Sequence, residues 1–136
     1  MITITSSFPV YIVEDLAAAK MFYTRHFNFA PAFENEWYLH LVTDSGVQVG
    51  FMRPDQATQP AIFRKGFAGS GVIFSFEVED ADAAYAEAQS LDIVLSLRSE
   101  DWGQRHFCVR DPNGLYLDVV QAIAPTEEYQ EGYVDG

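Results

Sequence analysis

The chain has 136 residues, 49% hydrophobic and 21% charged, a composition that suits one domain with a real core, and its apolar runs fall far short of the ~20 residues a membrane span needs. Eight basic against 20 acidic residues give a net charge of -12, which works against DNA, RNA and anionic membrane faces and draws cationic small ligands, although an acidic surface also simply keeps a protein in solution. The opening MITITSSFPVYIVED has no basic stretch leading into an apolar run and a small-residue cleavage site, so a cytoplasmic location is expected.

The run FPVYIV reads as a strand leading into Asp15, whose carboxylate is placed to cap a helix from Leu16 to about His26. Leu16, Ala19, Met21, Phe22 and Tyr23 form the apolar face expected for that helix. Two short strands follow, Trp37 to Val42 and Val47 to Met52, with the turn TDSG between them and Gly46 supplying positive φ. Arg53 to Ser70 contains Pro54, Pro60, Gly66 and Gly69 and three of the eight basic residues, the composition of an exposed, partly mobile connector.

The pattern then repeats. VEDLAAA at Val13–Ala19 returns as VEDADAA at Val78–Ala84, identical at five of seven positions, and VIFSFEV again leads into an aspartate, Asp80. A second helix follows, with Ala84, Tyr85 and Ala88 on its apolar face, and then the strands Arg105 to Arg110 and Leu115 to Ala122 around DPNG. The chain thus divides into module one at about 6–53, a connector at 54–70, module two at 71–123 and an acidic tail at 125–136. The tail, PTEEYQEGYVDG, holds four acids and no base; it either stays flexible or lies over a partner subunit through Tyr129 and Tyr133.

Alternation along each strand separates a helix-facing set from an inward set. Tyr11, Val13, Val47, Val49, Phe51, Phe74, Phe76, Leu115, Leu117 and Val119 belong on the helix side. Phe8, Val10, Ile12, Gln48, Gly50 and Met52 then point inward in the first module, as do Ile73, Glu77, Tyr116, Asp118 and Val120 in the second. An inward carboxylate such as Asp118 has three fates: pairing with Arg105, His106 or Tyr116, meeting a cationic ligand, or holding a proton through a raised pKa. Glu77 poses the same choice nearer the rim. Trp37, Tyr38, Trp102 and Phe107 offer flat faces for stacking, or core packing in the case of Tyr38 and Phe107, and Trp102 lies in the exposed-looking context Glu100-Asp101-Trp102-Gly103. The single cysteine, Cys108, reads as a small core residue without a role.

The segments VEDLAAAKMFYTRHFNF, VEDADAAYAEA and WGQRHFCVRDPNGLYLDVVQ resemble the vicinal oxygen chelate superfamily, which includes glyoxalase I, extradiol dioxygenases and bleomycin resistance proteins. The resemblance spans Phe8 to Gln121 and implies an α+β fold of two βαβββ modules, a curved mixed sheet around a cup with helices on its outer face, in a homodimer. Enzymes of that superfamily hold a divalent metal at positions that fall here on Phe8, Gly50, Ile73 and Asp118. Only Asp118 can donate a lone pair, and a catalytic site generally takes three protein ligands, so no metal and no cofactor are expected; His40 and His106 with Asp118 form a less regular trio. FPVYIVEDLAAAKMFYTRHFNF and EDWGQRHFCVRDPNG resemble the bleomycin resistance branch most.

The resemblance therefore implies a metal-independent small-molecule binding protein, with antibiotic sequestration its most concrete form. Its ligand, cationic or aromatic, would meet Phe8, Trp37, His40, Gly50 and Ile73, together with Glu77, Trp102, His106, Tyr116 and Asp118. Two alternatives stand beside it: a glyoxalase-like lyase or isomerase with a non-standard site, using Asp118 with His106 or His40, and a cup filled by its own side chains that serves a regulatory partner.

Overall fold

The computed structural model describes residues 1–134, so the last two positions of the tail lie outside the described residues. The chain forms two compact units, Met1–Ser70 and Gly71 onward. The first unit contains strand β1 (Val10–Ile12), helix α1 (Leu16–His26) and strands β2 (Ala30–Glu34), β3 (Tyr38–Val42) and β4 (Gln48–Met52). The second contains β5 (Phe74–Glu77), α2 (Ala81–Glu87), β6 (Asp92–Glu100), β7 (Gln104–Arg110) and β8 (Tyr116–Ala122), followed by the single-turn helix α3 (Glu127–Gln130). Each unit is one four-stranded mixed sheet, in the order β1-β4-β3-β2 or β5-β8-β7-β6, and neither closes into a barrel. The fold is α+β, with each unit a βαβββ module.

The local signals act as the sequence suggests. Asp15 Oδ1 accepts the Ala18 N–H at 2.9 Å, and Asp80 Oδ1 accepts the Ala83 N–H at 3.0 Å, so both repeat aspartates are helix caps. In the β3–β4 turn Thr43 Oγ1 accepts the Val47 N–H and Gly46 takes φ +94°. Asp111 in DPNG accepts the N–H groups of Asn113 and Leu115, with Gly114 at φ +87°.

The helix-facing side of each sheet is the core. Tyr11, Val13, Leu39, Leu41, Val49 and Phe51 are buried beside Ala19, Phe22 and Tyr23 of α1 in the first unit. In the second, Phe107, Val109, Leu115, Leu117 and Val119 are buried, and the Tyr85 ring of α2 meets the Phe107 ring edge-on at 5.1 Å. Two expected core positions are solvent-facing instead. Met21 is 58% exposed because α1 buries a stripe of only about three residues, and Val47 is 41% exposed because it precedes β4 in the turn.

Strands β2 and β6 have no counterpart in the sequence reading; both are sheet edges. β2 is exposed along its whole length, contains Pro31 and changes register between Pro31 and Phe33, so neither alternation nor β propensity marks it. The connector is tied to its own unit: the Phe67 N–H donates to Ile12 O at 2.7 Å, and the Asp55 N–H donates to Arg64 O at 2.9 Å around a 3₁₀ turn at Ala61–Phe63.

The tail folds back on the 101–103 turn. The Thr126 N–H donates to Asp101 O, the Ile123 N–H to Gly103 O, and the Tyr133 hydroxyl to Trp102 O. Gly103 makes this possible, since it takes φ +107° and a Cβ there would lie 3.0 Å from Ile123 O and 2.7 Å from Tyr133 Oη. Gly103→Ala is therefore expected to cost about 1–3 kcal/mol and to free the tail, read as a lower urea midpoint and a changed Trp102 emission; an unchanged midpoint would show that the turn tolerates the methyl group.

Candidate functional site

The face of the first sheet turned away from α1 carries two adjoining features. One is a hydrogen-bonded chain. His40 on β3 lies opposite Gly50 on β4, with Gln48 two residues along the same face. His40 Nε2–H donates to Gln48 Oε1 at 2.8 Å, leaving Nδ1 to accept from the Tyr38 hydroxyl at 3.0 Å. The Phe8 ring stands edge-on to the imidazole at 4.6 Å. Gly50 matters here because Tyr38 Oη fills the space its side chain would take, with Tyr38 Cζ 3.0 Å and Val10 Cγ2 3.1 Å from a modest Cβ.

The second feature is a cleft of about 360 Å³ lined by Val10, Ile12, Trp37, Tyr38, Met52, Gln59 and Phe63. β1, the end of β3 and β4 supply its floor, and the 3₁₀ turn of the connector supplies Phe63 as a wall. Its volume is in the range of small-ligand sites, about 300–1,000 Å³. Two other depressions in this unit are of similar or larger volume, about 390 and 630 Å³, but they are more polar, and the former is crossed by the closed Lys20–Glu34 ion pair at 3.0 Å. The apolar, aromatic lining singles out the cleft beside Trp37.

Burial raises the Tyr38 phenol above its ordinary pKa of 10.0. Above pH 10 the folded chain accordingly keeps a proton that the unfolded chain has released, so this group's contribution to stability is full below that pH and declines as pH rises further. The expected result is a tyrosinate absorbance titration in which one phenol that ionises above the ordinary value is missing in Tyr38→Phe; superimposable curves would contradict the burial.

In the second unit the sheet face turned away from α2 carries a charged cluster. His106 and Cys108 are two apart on β7, and Asp118 on β8 lies directly opposite Cys108, so all three share a face. His106 Nδ1 meets Asp118 Oδ1 at 2.7 Å and Nε2 meets Glu100 Oε2 at 2.9 Å. A carboxylate accepts only, so both ring nitrogens carry hydrogen and the ring is an imidazolium. Burial opposes this charge, but the bonds to Glu100 and Asp118 outweigh it and hold the His106 pKa above the ordinary histidine value. The bond from His106, against burial and with help from Arg98, holds Glu100 below the usual carboxylate range. Arg98 Nε lies 3.1 Å from the same Glu100 oxygen.

The Cys108 thiol donates to Asp118 Oδ1 at 3.4 Å, and burial together with the Asp118 charge pushes its pKa up to about 12. A thiol so placed is not a nucleophile at neutral pH. The fate of Asp118 is thus the first of the three considered, with His106 as its partner. Arg105 instead pairs with Asp82, at 2.9 Å from each guanidinium nitrogen involved.

The remaining expected positions are dispersed. Ile73 precedes β5 and is 68% exposed, Glu77 is exposed at the strand's end opposite Val120, and Tyr116 lies opposite Arg110 on β7. Trp102 is partly covered by its own chain: the Tyr129 ring stands edge-on at 6.3 Å, and the indole N–H donates to Gln104 Oε1 at 2.9 Å. Sequence reasoning missed Glu100 and Phe63 as members of these two sites. Period-two alternation over Asp92–Glu100 could have revealed the first; nothing in the connector's composition points to the second.

The fold is one of two βαβββ modules with an aromatic cleft on one sheet face, and comparisons with known proteins identify the family. Residues 6–119 match the model of the Glyoxalase/Bleomycin resistance protein/Dioxygenase superfamily, and the chain belongs to that superfamily. No curated protein matches it. Among solved structures, a glyoxalase/bleomycin resistance protein/dioxygenase from Nocardioides superposes with a TM-score of 0.75 at 15% identity, covering 99% of this chain and 93% of the other. A superfamily member from Sphaerobacter thermophilus gives 0.69 at 23% identity, covering 87% and 98%. A lactoylglutathione lyase from Agrobacterium tumefaciens gives 0.70 at 18% identity, covering 86% and 93%. Similarity at these identities shows the fold alone.

The metal of the superfamily's enzymes does not fit the positions that the sequence assigns to it. Phe8 and Ile73 are hydrocarbon, and the space at Gly50 is taken by the Tyr38 hydroxyl. Asp118 alone has a suitable donor, and its Oδ1 is engaged by His106 and Cys108.

Proposed function

We propose that the chain is a small-molecule binding protein that captures a flat, largely apolar ligand in the cleft beside Trp37 without using a metal there. The observation that carries this reading is the lining itself: aliphatic Val10, Ile12 and Met52, the rings of Trp37, Tyr38 and Phe63, and Gln59 as a single amide for orientation. Apolar walls with a few polar groups are what such ligands need. No lining residue carries a carboxylate, so the cleft selects a neutral aromatic surface rather than a cation.

Sequestration of a bleomycin-type antibiotic is the more specific form, in which the flat part of the compound enters the cleft and the acidic surface meets its charge. In this reading the protein acts as a homodimer, which light scattering checks. A lyase or isomerase needs a base free to take a proton, whereas both ring nitrogens of His40 and of His106 are already engaged. This favours the binder.

The test is a tryptophan-fluorescence titration of purified protein with bleomycin and with a panel of neutral planar aromatics, repeated on Trp102→Phe so that Trp37 reports alone. Saturable quenching by neutral aromatics at about tens of micromolar is expected. Quenching by bleomycin alone would establish the antibiotic form, and no quenching by any compound would remove the proposal.

A further inference from the structure

The second unit holds a cluster that ligand capture does not use. His106 Nδ1, Cys108 Sγ and an Asp118 oxygen all lie within 4.8 Å of one another on one sheet face, and none of the three residues lines the cleft beside Trp37. From this geometry we infer that His106, Cys108 and Asp118 form a binding site for a thiophilic divalent cation, zinc in the first instance, with Glu100 as the carboxylate that orients the histidine.

Three features support this. First, the donor set is one nitrogen, one sulfur and one oxygen, a combination that suits zinc and discriminates against magnesium and calcium, which take oxygen ligands. Second, the spacing is close to what is needed. Bond lengths of about 2.0–2.3 Å in a tetrahedron place ligand atoms roughly 3.3–3.7 Å apart; Sγ and Oδ1 already lie at 3.4 Å, and Nδ1 and Oδ1 at 2.7 Å must open slightly. Side-chain rotation supplies that, since all three sit at fixed positions on paired strands. Third, the orienting group is in place: a metal-bound histidine characteristically donates its other N–H to a carboxylate, and His106 Nε2–H already does so to Glu100.

The charge balance closes as well. A divalent cation displaces one proton from His106 Nδ1 and one from the Cys108 thiol, both of which now point at Asp118. Two positive charges leave as protons and two arrive with the ion, so Glu100 and Arg98 keep their pairing and the partly buried face gains no net charge. Three protein ligands leave a fourth position for water or a small anion.

The experiment uses the untagged full chain, stripped with chelator, and titrates Zn(II) by calorimetry and Co(II) by absorbance. One equivalent per chain is expected, with a thiolate-to-cobalt band in the near ultraviolet and no response to Mg(II). Cys108→Ser should abolish that band and weaken zinc at least tenfold; its thiol makes only the one long hydrogen bond, so the variant should keep its circular dichroism. Asp118→Asn should weaken zinc similarly, and Glu100→Gln by about tenfold. Absence of the band, or zinc affinity unchanged in a folded Cys108→Ser, would overturn the site and mark any binding as adventitious. Aromatic-ligand titrations on Cys108→Ser read the cleft separately, so either proposal can fail alone.

Discussion

Replacing His106 with leucine in chelator-treated protein lowers the unfolding free energy by about 2–4 kcal/mol, because a partly buried cation bonded at both ends is exchanged for hydrocarbon. The imidazole is 8% exposed and stands between Asp118 at 2.7 Å and Glu100 at 2.9 Å. Leucine removes both donors. Among the described residues it leaves Asp118 with the long thiol contact from Cys108, and Glu100 with Arg98. The cost is one of unpaired charge rather than lost volume, which gives the prediction a second arm. The triple variant Glu100→Gln, His106→Leu, Asp118→Asn carries no ionised acid at the site and should recover much of the loss, since replacing a whole buried ionic group is far milder than breaking one. Urea unfolding followed by circular dichroism measures both. A single variant within about 1 kcal/mol of wild type, or a triple variant worse than the single, would show that the charges are solvated and the triad contributes little.

How far the sequence foretells this site depends on what kind of interaction builds each part. The caps at Asp15 and Asp80 and the glycine turns at Gly46 and Gly114 are local, with donor and acceptor two to four residues apart, and the residue types state them directly. The core faces of β4, β7 and β8 follow from alternation, because one side of each sheet is covered by a helix. Strand β2 stays hidden for the opposite reason: an edge strand with both faces exposed has no burial to impose a pattern. The inward positions were legible as a face, but their partners were not. That Asp118 should choose His106 over Arg105 depends on a diagonal across β7 and β8, while Arg105 points to the other side of the strand and meets Asp82 of α2. Trp102 is exposed as expected, at 41%, but the tail's composition does not show that Tyr129 meets its ring and Tyr133 its carbonyl. Phe63, finally, lines the cleft from a connector whose Phe67 N–H donates to Ile12 of β1, a contact between residues distant in sequence.

The sharpest test of ligand capture is a pair of substitutions in the lining of the cleft. Trp37 is held in place by its neighbours: Asn35 Oδ1 accepts the backbone N–H groups of Trp37 and Tyr38 at 3.0 and 2.8 Å, and the two rings meet edge-on at 6.1 Å. A pre-ordered indole has little conformational freedom left to lose on binding, so Trp37→Ala should cost about 2 kcal/mol of binding, roughly a 30-fold rise in Kd. Val10 lines the same cleft and is 41% exposed, so Val10→Glu places a carboxylate in the lining without opening the core. The sign of its effect separates the two forms of the proposal. A neutral aromatic ligand loses at least about tenfold, because the new charge must be desolvated; a cationic ligand gains affinity, because the charge meets its own. Fluorescence titration of Val10→Glu with a neutral aromatic and with bleomycin, beside unfolding curves that match wild type, reads this directly. Equal affinities in wild type, Trp37→Ala and Val10→Glu would place the ligand elsewhere, since both residues line this cleft.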